Sequence, residues 1–245
     1  MVELDASGIH YRELNNNIKE LIKKGHDKIK LVNVNGQRYI GSGFEGPVKI
    51  NIEGTAGNDM AAFASGVEIS VYGNVQDGIG NTMGEGVITV HGQAGDILGY
   101  AMRGGSIYIR DNVGYRVGIH MKGYRDKQPV IVVGGKAGDF LGEYMAGGYL
   151  VVLGLTGRPG EPIVGNHVGV GMHGGVMYIR GEVDGNQLGP EIDVSEIDES
   201  DRTRLVEILT PYCRRFKLNL NEILEGRFTR LKPFSSRPYG KLYAY

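Results

Sequence analysis

The chain has one cysteine, Cys213, and no tryptophan among its 245 residues. A lone thiol excludes an internal disulfide and suits a reducing compartment, so the cytoplasm is the expected location. It also excludes a cysteine-ligated iron–sulfur centre within this chain. Neither sign of charge dominates: 27 Lys and Arg stand against 28 Asp and Glu, for a formal net charge of −1. No global field therefore draws the chain to nucleic acid or to a membrane surface. No apolar run approaches the ~18 residues of a membrane span, and the acidic start Met1-Val2-Glu3-Leu4-Asp5 is unlike a signal peptide. The six histidines, His10, His26, His91, His120, His167 and His173, include no pair at the i, i+4 spacing of a helical zinc site. A G-x-S-x-G nucleophile elbow is likewise missing.

Glycine, by contrast, is abundant, with 41 residues, and it recurs in order. The segments Gly66-Val67-Glu68-Ile69-Ser70-Val71-Tyr72-Gly73, Gly86-Val87-Ile88-Thr89-Val90-His91-Gly92 and Gly105-Ser106-Ile107-Tyr108-Ile109-Arg110-Asp111 repeat one pattern. The closing residues are Gly36, Gly54, Gly73, Gly92, Asp111, Gly134, Gly154 and Gly181, spaced by 18, 19, 19, 19, 23, 20 and 27. A period near 19 in a glycine-rich chain is the signature of a solenoid. Two residues before each close stand Val34, Ile52, Val71, Val90, Ile109, Val132, Val152 and Ile179. Four before stand Val32, Ile50, Ile69, Ile88, Ile107, Val130, Leu150 and Met177. This period-2 alternation predicts strands with one buried face, stacked so that like residues form internal ladders. The expected fold is all-β: a right-handed, single-stranded parallel β-helix of about eight coils.

The other half of each repeat carries Ile79-Gly80, Leu98-Gly99, Val117-Gly118, Leu141-Gly142 and Val168-Gly169. Three residues after each glycine stands Met83, Met102, Met121, Met145 or Met172, with Phe44 after Gly41; Ala61 and Ala64 replace the pair in one coil. A methionine ladder of this kind fills irregular core volume. The G-x-G-x-x-G matches at Gly41–Gly46 and Gly169–Gly174 lead into further strands rather than a helix, so no dinucleotide site is expected there. Asp96, Asp111 and Asp139 fall at coil corners, where Asp caps turn amides.

Three regions follow. Residues 1–27 are a capping unit with an amphipathic helix from His10 to Lys24, 28–181 the β-helix, and 182–245 an acidic linker, C-terminal helices and a basic, aromatic tail. The linker spans Glu191 to Asp201, the helices Asp201–Phe216 and Asn221–Glu225, and Pro211 is expected to kink or end the first. The tail sets Arg227, Arg230, Lys232, Arg237 and Lys241 among Phe228, Phe234, Tyr239, Tyr243 and Tyr245, an arm expected to lie on the solenoid or a partner. Insertions at Gly123–Gln128 and Thr156–Pro162 become side loops. Beside them Ile131, Val133, Val151 and Leu153 occupy positions that are polar elsewhere. With Arg158 they form a candidate docking surface, covered by the C-terminal segment or by another chain. Such exposure would also allow a homo-oligomer of the isolated chain.

The repeat resembles the GXGXG family, through Gly95-Asp96-Ile97-Leu98-Gly99-Tyr100-Ala101-Met102-Arg103-Gly104-Gly105 and Gly138-Asp139-Phe140-Leu141-Gly142-Glu143-Tyr144-Met145-Ala146-Gly147-Gly148. The stretch Gly142–Gly154 followed by Thr156-Gly157 is similar to the C-terminal β-helix domain of the glutamate synthase large subunit. The family also includes the corresponding subunits of formylmethanofuran dehydrogenase and of N-methylglutamate synthase. The resemblance implies a stand-alone scaffolding subunit without catalytic residues, cofactor or metal of its own. Its implied partners are a glutamine amidotransferase subunit and a synthase subunit holding FMN and iron–sulfur clusters. The alternatives are a subunit of either sister complex, or an independent hydrolase on a β-helix. Neither nucleic acid nor membrane is an expected partner.

Overall fold

In the computed structural model, residues 1–158 and 160–236 are described. The alternating segments form strands that pair in parallel, each with its neighbour in sequence. They are β1 (Val2–Asp5), β2 (Lys28–Asn35), β3 (Lys49–Thr55), β4 (Val67–Tyr72), β5 (Gly86–Val90), β6 (Ser106–Ile109), β7 (Val130–Val133), β8 (Ala146–Val152) and β9 (Gly174–Ile179). The result is the expected parallel β-solenoid. It makes about six turns rather than the eight coils expected.

Register stacks the apolar residues into two ladders. One runs Ile29, Ile50, Ile69, Ile88, Ile107, Ile131, Leu150, Met177; the other runs Leu31, Ile52, Val71, Val90, Ile109, Val133, Val152, Ile179. Every one of these side chains is fully buried. Two assignments differ from the sequence count. In β2 a bulge between Leu31 and Val34, with Asn33 at φ 58°, puts Leu31 rather than Val32 into the ladder. In β7 the strand closes on Gly135, not Gly134, so Ile131 and Val133 point inward and Val132 outward. The tandem glycines made the close ambiguous, and a one-residue slip exchanges the faces of a whole strand.

The second wall is held by backbone geometry. Gly41, Ala61, Gly80, Gly99, Gly118, Gly142 and Gly169 all adopt φ between 58° and 73°. From Ala61 onward each amide donates to the preceding coil, as in Gly80 to the Met60 carbonyl at 2.9 Å and Gly118 to the Leu98 carbonyl at 2.8 Å. Positive φ favours glycine, and so does space: a Cβ on Gly80 would lie 2.6 Å from Ile107 Cδ1, and one on Gly118 2.7 Å from Leu150 Cδ1. Met83, Met102, Met121 and Met145 are fully buried behind this wall. At the corners, Asp77, Asp96 and Asp139 accept from the amides of Asp96, Tyr115 and Asn166 at 2.8, 2.8 and 2.7 Å. Asp111 departs from that role and instead binds the Arg110 guanidinium.

Both ends of the rod are closed. Helix α1 (Tyr11–Lys23) buries Leu14 and Ile18 in the main core, as its amphipathic pattern predicts. Residues 2–5, by contrast, form β1 and pair with β2, so the sheet begins earlier than the repeat. At the other end the stretch read as a linker contains β10 (Ile192–Glu196). It pairs antiparallel with β11 (Thr229–Pro233), which in turn pairs with β9. Ile192 packs on the main core beneath Gly169. Helix α2 (Glu199–Phe216) runs through Pro211 without ending there, and α3 (Leu220–Leu224) follows.

Gly80→Ala should destabilise the rod by about 2–4 kcal/mol, through the left-handed backbone and the overpacking of Ile107. Ala61→Gly, in the same column at φ 58°, should change stability by less than about 1 kcal/mol, because relief of strain opposes the added unfolded-state entropy. Urea denaturation of the two variants checks the contrast.

Candidate functional site

Of the five residues expected to form a docking surface, only Arg158 is exposed. Ile131 and Val133 lie in the inner ladders, a correction that follows from the register of β7. Val151 and Leu153 do face outward, but both are fully buried beneath α2. The outer patch consists of Tyr108, Val132, Val151, Leu153 and Tyr178, and Leu205, Ile208, Leu209, Tyr212 and Cys213 of α2 cover it. Of the two covers considered, the C-terminal segment supplies it. The ground for expecting self-association through this patch is thereby removed.

Polar contacts pin α2 at both ends. At its start, the Tyr178 hydroxyl donates to Asp201 at 2.8 Å inside the cluster; burial, and then this bond, raise the Tyr178 pKa. Arg230 reaches Asp198 at 2.8 Å and also binds Asp201 and Ser195. Asp198 caps the helix, accepting from the amides of Ser200 and Asp201. The Ser200 hydroxyl, the Asp201 amide and the Arg230 guanidinium together hold its carboxyl far below the ordinary value. Farther along, Tyr212 lies in the same cluster and its hydroxyl faces the Ile109 carbonyl at 3.4 Å; burial raises its pKa. Burial likewise raises the Cys213 thiol, which keeps it protonated and unreactive at neutral pH. Arg227 and Phe228 of the basic, aromatic tail also serve this module. Arg227 pairs with Glu182 and Glu196, and Phe228 is buried against α2. Arg237, Tyr239, Lys241, Tyr243 and Tyr245 lie outside the described residues.

With that face covered, another comes forward. Around each central glycine column, residues two before and two after also take left-handed backbone. Ile97, Arg116, Phe140 and His167 precede it, with φ from 52° to 61°. Phe63, Thr82, Ala101, His120 and Tyr144 follow it, with φ from 50° to 58°. Non-glycine residues there are strained unless the surroundings over-determine them. Here the amides of all but His167 donate forward to the next coil, as in Thr82 to the Tyr100 carbonyl at 2.7 Å and His120 to the Glu143 carbonyl at 3.0 Å. The glycine amides between them donate backward, so each turn is tied on both sides.

These flanking columns and their neighbours form a ribbon of rings. His120 stacks on Tyr144 at 5.1 Å and 9°, and Tyr100 meets His120 edge-on at 5.8 Å. Phe140 stacks on His167 at 4.8 Å, and Arg116 lies 4.5 Å over Phe140 while binding Glu143 at 2.9 Å. Phe63 and Tyr115 are 65% and 53% exposed. Sequence reasoning aligned the strands and the glycine–methionine column but not the columns beside it. The signal was present, in Phe63, His120 and Tyr144 at one offset from Ala61, Gly118 and Gly142. Of the other histidines, His10 caps α1 and His173 contacts the Gly171 carbonyl at 3.1 Å. Among the described residues, no group of three or more His, Cys, Asp or Glu is arranged to hold a metal ion, and no helix is long and apolar enough to cross a membrane.

Fold and surface together define a filled parallel β-solenoid with a helical clamp on one face and an aromatic ribbon on another wall. The profile of the GXGXG motif family matches residues 12–235, and the chain belongs to that family. It is 44% identical over 250 residues to the uncharacterized protein MJ1350 of Methanocaldococcus jannaschii, covering 99% of this chain and 96% of that protein.

Two outcomes test the clamp. Leu209→Asp, which places a charge in the covered cluster, should cost at least about 3 kcal/mol and expose the outer patch, seen as increased binding of a hydrophobic dye. The second concerns pH. Because the folded pKa of Asp198 lies below its ordinary 3.8, its contribution is intact above that value and is lost as pH falls further. The protection of α2 amides relative to their intrinsic exchange rates should therefore fall below about pH 4, and Asp198→Asn should weaken that dependence.

Proposed function

We propose that this chain is a non-catalytic scaffolding subunit of a multi-subunit glutamate synthase. In this reading it holds a glutamine amidotransferase subunit and an FMN/iron–sulfur synthase subunit in fixed relation, and chemistry belongs to those partners. Membership of the GXGXG family supports the class of complex, since glutamate synthase contains such a domain. The observation that carries the role is the aromatic ribbon. Phe63, Tyr100, His120, Phe140 and His167 stand on a backbone tied to both neighbouring coils, so partner-facing rings would be held without an ordering penalty on docking. Aromatic residues on a rigid frame are what protein interfaces use as anchors. The inner ladders are filled by side chains, which leaves the outside of the rod as the place for contact. Arg158 and the loop around it would supply a polar edge to such an interface.

Affinity purification of the tagged chain from its native cells, followed by mass spectrometry, tests the reading. Recovery of an amidotransferase and an FMN/iron–sulfur synthase supports it. Recovery of a molybdenum or tungsten formyl dehydrogenase would move the chain to a sister complex, and a chain that elutes alone at low salt would count against scaffolding. In the assembled complex, Phe63→Glu with His120→Glu should weaken partner recovery at least about tenfold, while the circular dichroism of the rod is unchanged. Undiminished recovery would remove the ribbon from the interface.

A further inference from the structure

The clamp helix ends partway along the rod, and a cleft of about 490 Å³ opens at the step between its last turn and the outer face of β4 and β5. Three cations border it: Arg110, Arg215 and Lys217. The one carboxylate in its lining, Glu68, is held by Lys49 at 2.6 Å. Arg110 binds the neighbouring Asp111 carboxylate at 2.9 Å. Arg215 differs from it. This half-buried guanidinium donates to the Thr89 hydroxyl at 3.1 Å and the Pro211 carbonyl at 3.3 Å, and lies 5.1 Å over the Tyr108 ring. All these partners are neutral, and among the described residues no carboxylate pairs with Arg215 or with Lys217. An arginine held in place by neutral groups, beside a lysine on the same rim, leaves positive charge for an incoming anion.

The rest of the lining is largely aromatic. Tyr72 stacks on His91 at 4.6 Å and 11°, and Phe216 meets His91 edge-on at 5.2 Å. Burial and the nearby Arg110 lower the His91 pKa, so at neutral pH the ring acts as a neutral surface rather than a fourth cation. Tyr72 remains 54% exposed, which leaves part of its surface to receive a flat group. Ser70 and Thr89 of the sheet complete the lining, and the Thr89 hydroxyl is already engaged by Arg215.

We propose that this cleft binds a phosphate ester carrying a planar ring, of mononucleotide size. The phosphate would meet Arg215 and Lys217, and the ring would lie against Tyr72. The site is separate from the aromatic ribbon and does not require the scaffolding role. Arg215 also sits in the last turn of α2, where a cation offsets the helix dipole; a purely structural role would predict a stability change without ligand binding.

Titration calorimetry of the whole chain with AMP, inorganic phosphate and adenosine separates the two. Saturable AMP binding is expected, with phosphate and adenosine each at least about tenfold weaker. Arg215→Gln and the exposed Lys217→Gln should each weaken AMP markedly, the first by about tenfold or more. Tyr72→Leu should bring AMP down to the affinity of phosphate. No saturable heat with AMP or phosphate up to about 10 mM would overturn the site. So would AMP affinity unchanged in the Lys217→Gln and Tyr72→Leu variants, whose exposed positions leave the fold intact.

Discussion

Everything in this molecule depends on register between successive coils. The inner ladders exist because Ile50, Ile69, Ile88 and Ile107 stack directly on one another, and each ladder buries what a single repeat would leave in water. The second wall obeys the same constraint by other means. Its strands are replaced by alternating left-handed residues whose amides reach forward and backward. A coil cannot shift relative to its neighbour without losing both apolar contact and these bonds. The strain of Ile97 or Thr82 in left-handed backbone is thus carried by a repeat that over-determines it.

That constraint also explains what sequence alone revealed and what it hid. The strands, the methionine column and the capping helix were legible because each rests on a local rule: alternation, a fixed offset from a glycine, a helical stripe. Ile131 and Val133 were misplaced because two adjacent glycines, Gly134 and Gly135, offered two closes, and counting cannot choose between them. Stacking chooses, since only one places Ile131 between Ile107 and Leu150. The bulge in β2 hid in the same way: Asn33 takes a left-handed conformation that residue type permits but does not announce. Strands β1, β10 and β11 lie outside the repeat and pair with residues distant in sequence, so no periodicity marked them.

The candidate site was legible only in part. An apolar outer patch was foreseen, and Val151 and Leu153 belong to it, but the patch is an intramolecular seat. Burial and charge pairing settle that assignment. Tyr178, Asp201 and Arg230 form a network between β9, α2 and β11 that has no sequence signature, because its members come from three separated segments. The ribbon of rings went unnoticed for a different reason. Its residues vary in type from coil to coil, and what most of them share is a left-handed backbone conformation.

The clamp imposes an order of events on a growing chain. Val132, Val151 and Tyr178 leave the ribosome well before Leu205, Leu209 and Tyr212, so a nascent solenoid that stacks as it emerges passes through a stage with its outer apolar patch uncovered. During that stage a second nascent chain or a chaperone meets the same surface that α2 later takes. The helix therefore works as an intramolecular gatekeeper: synthesis must reach the end of α2 before the rod is safe among its copies.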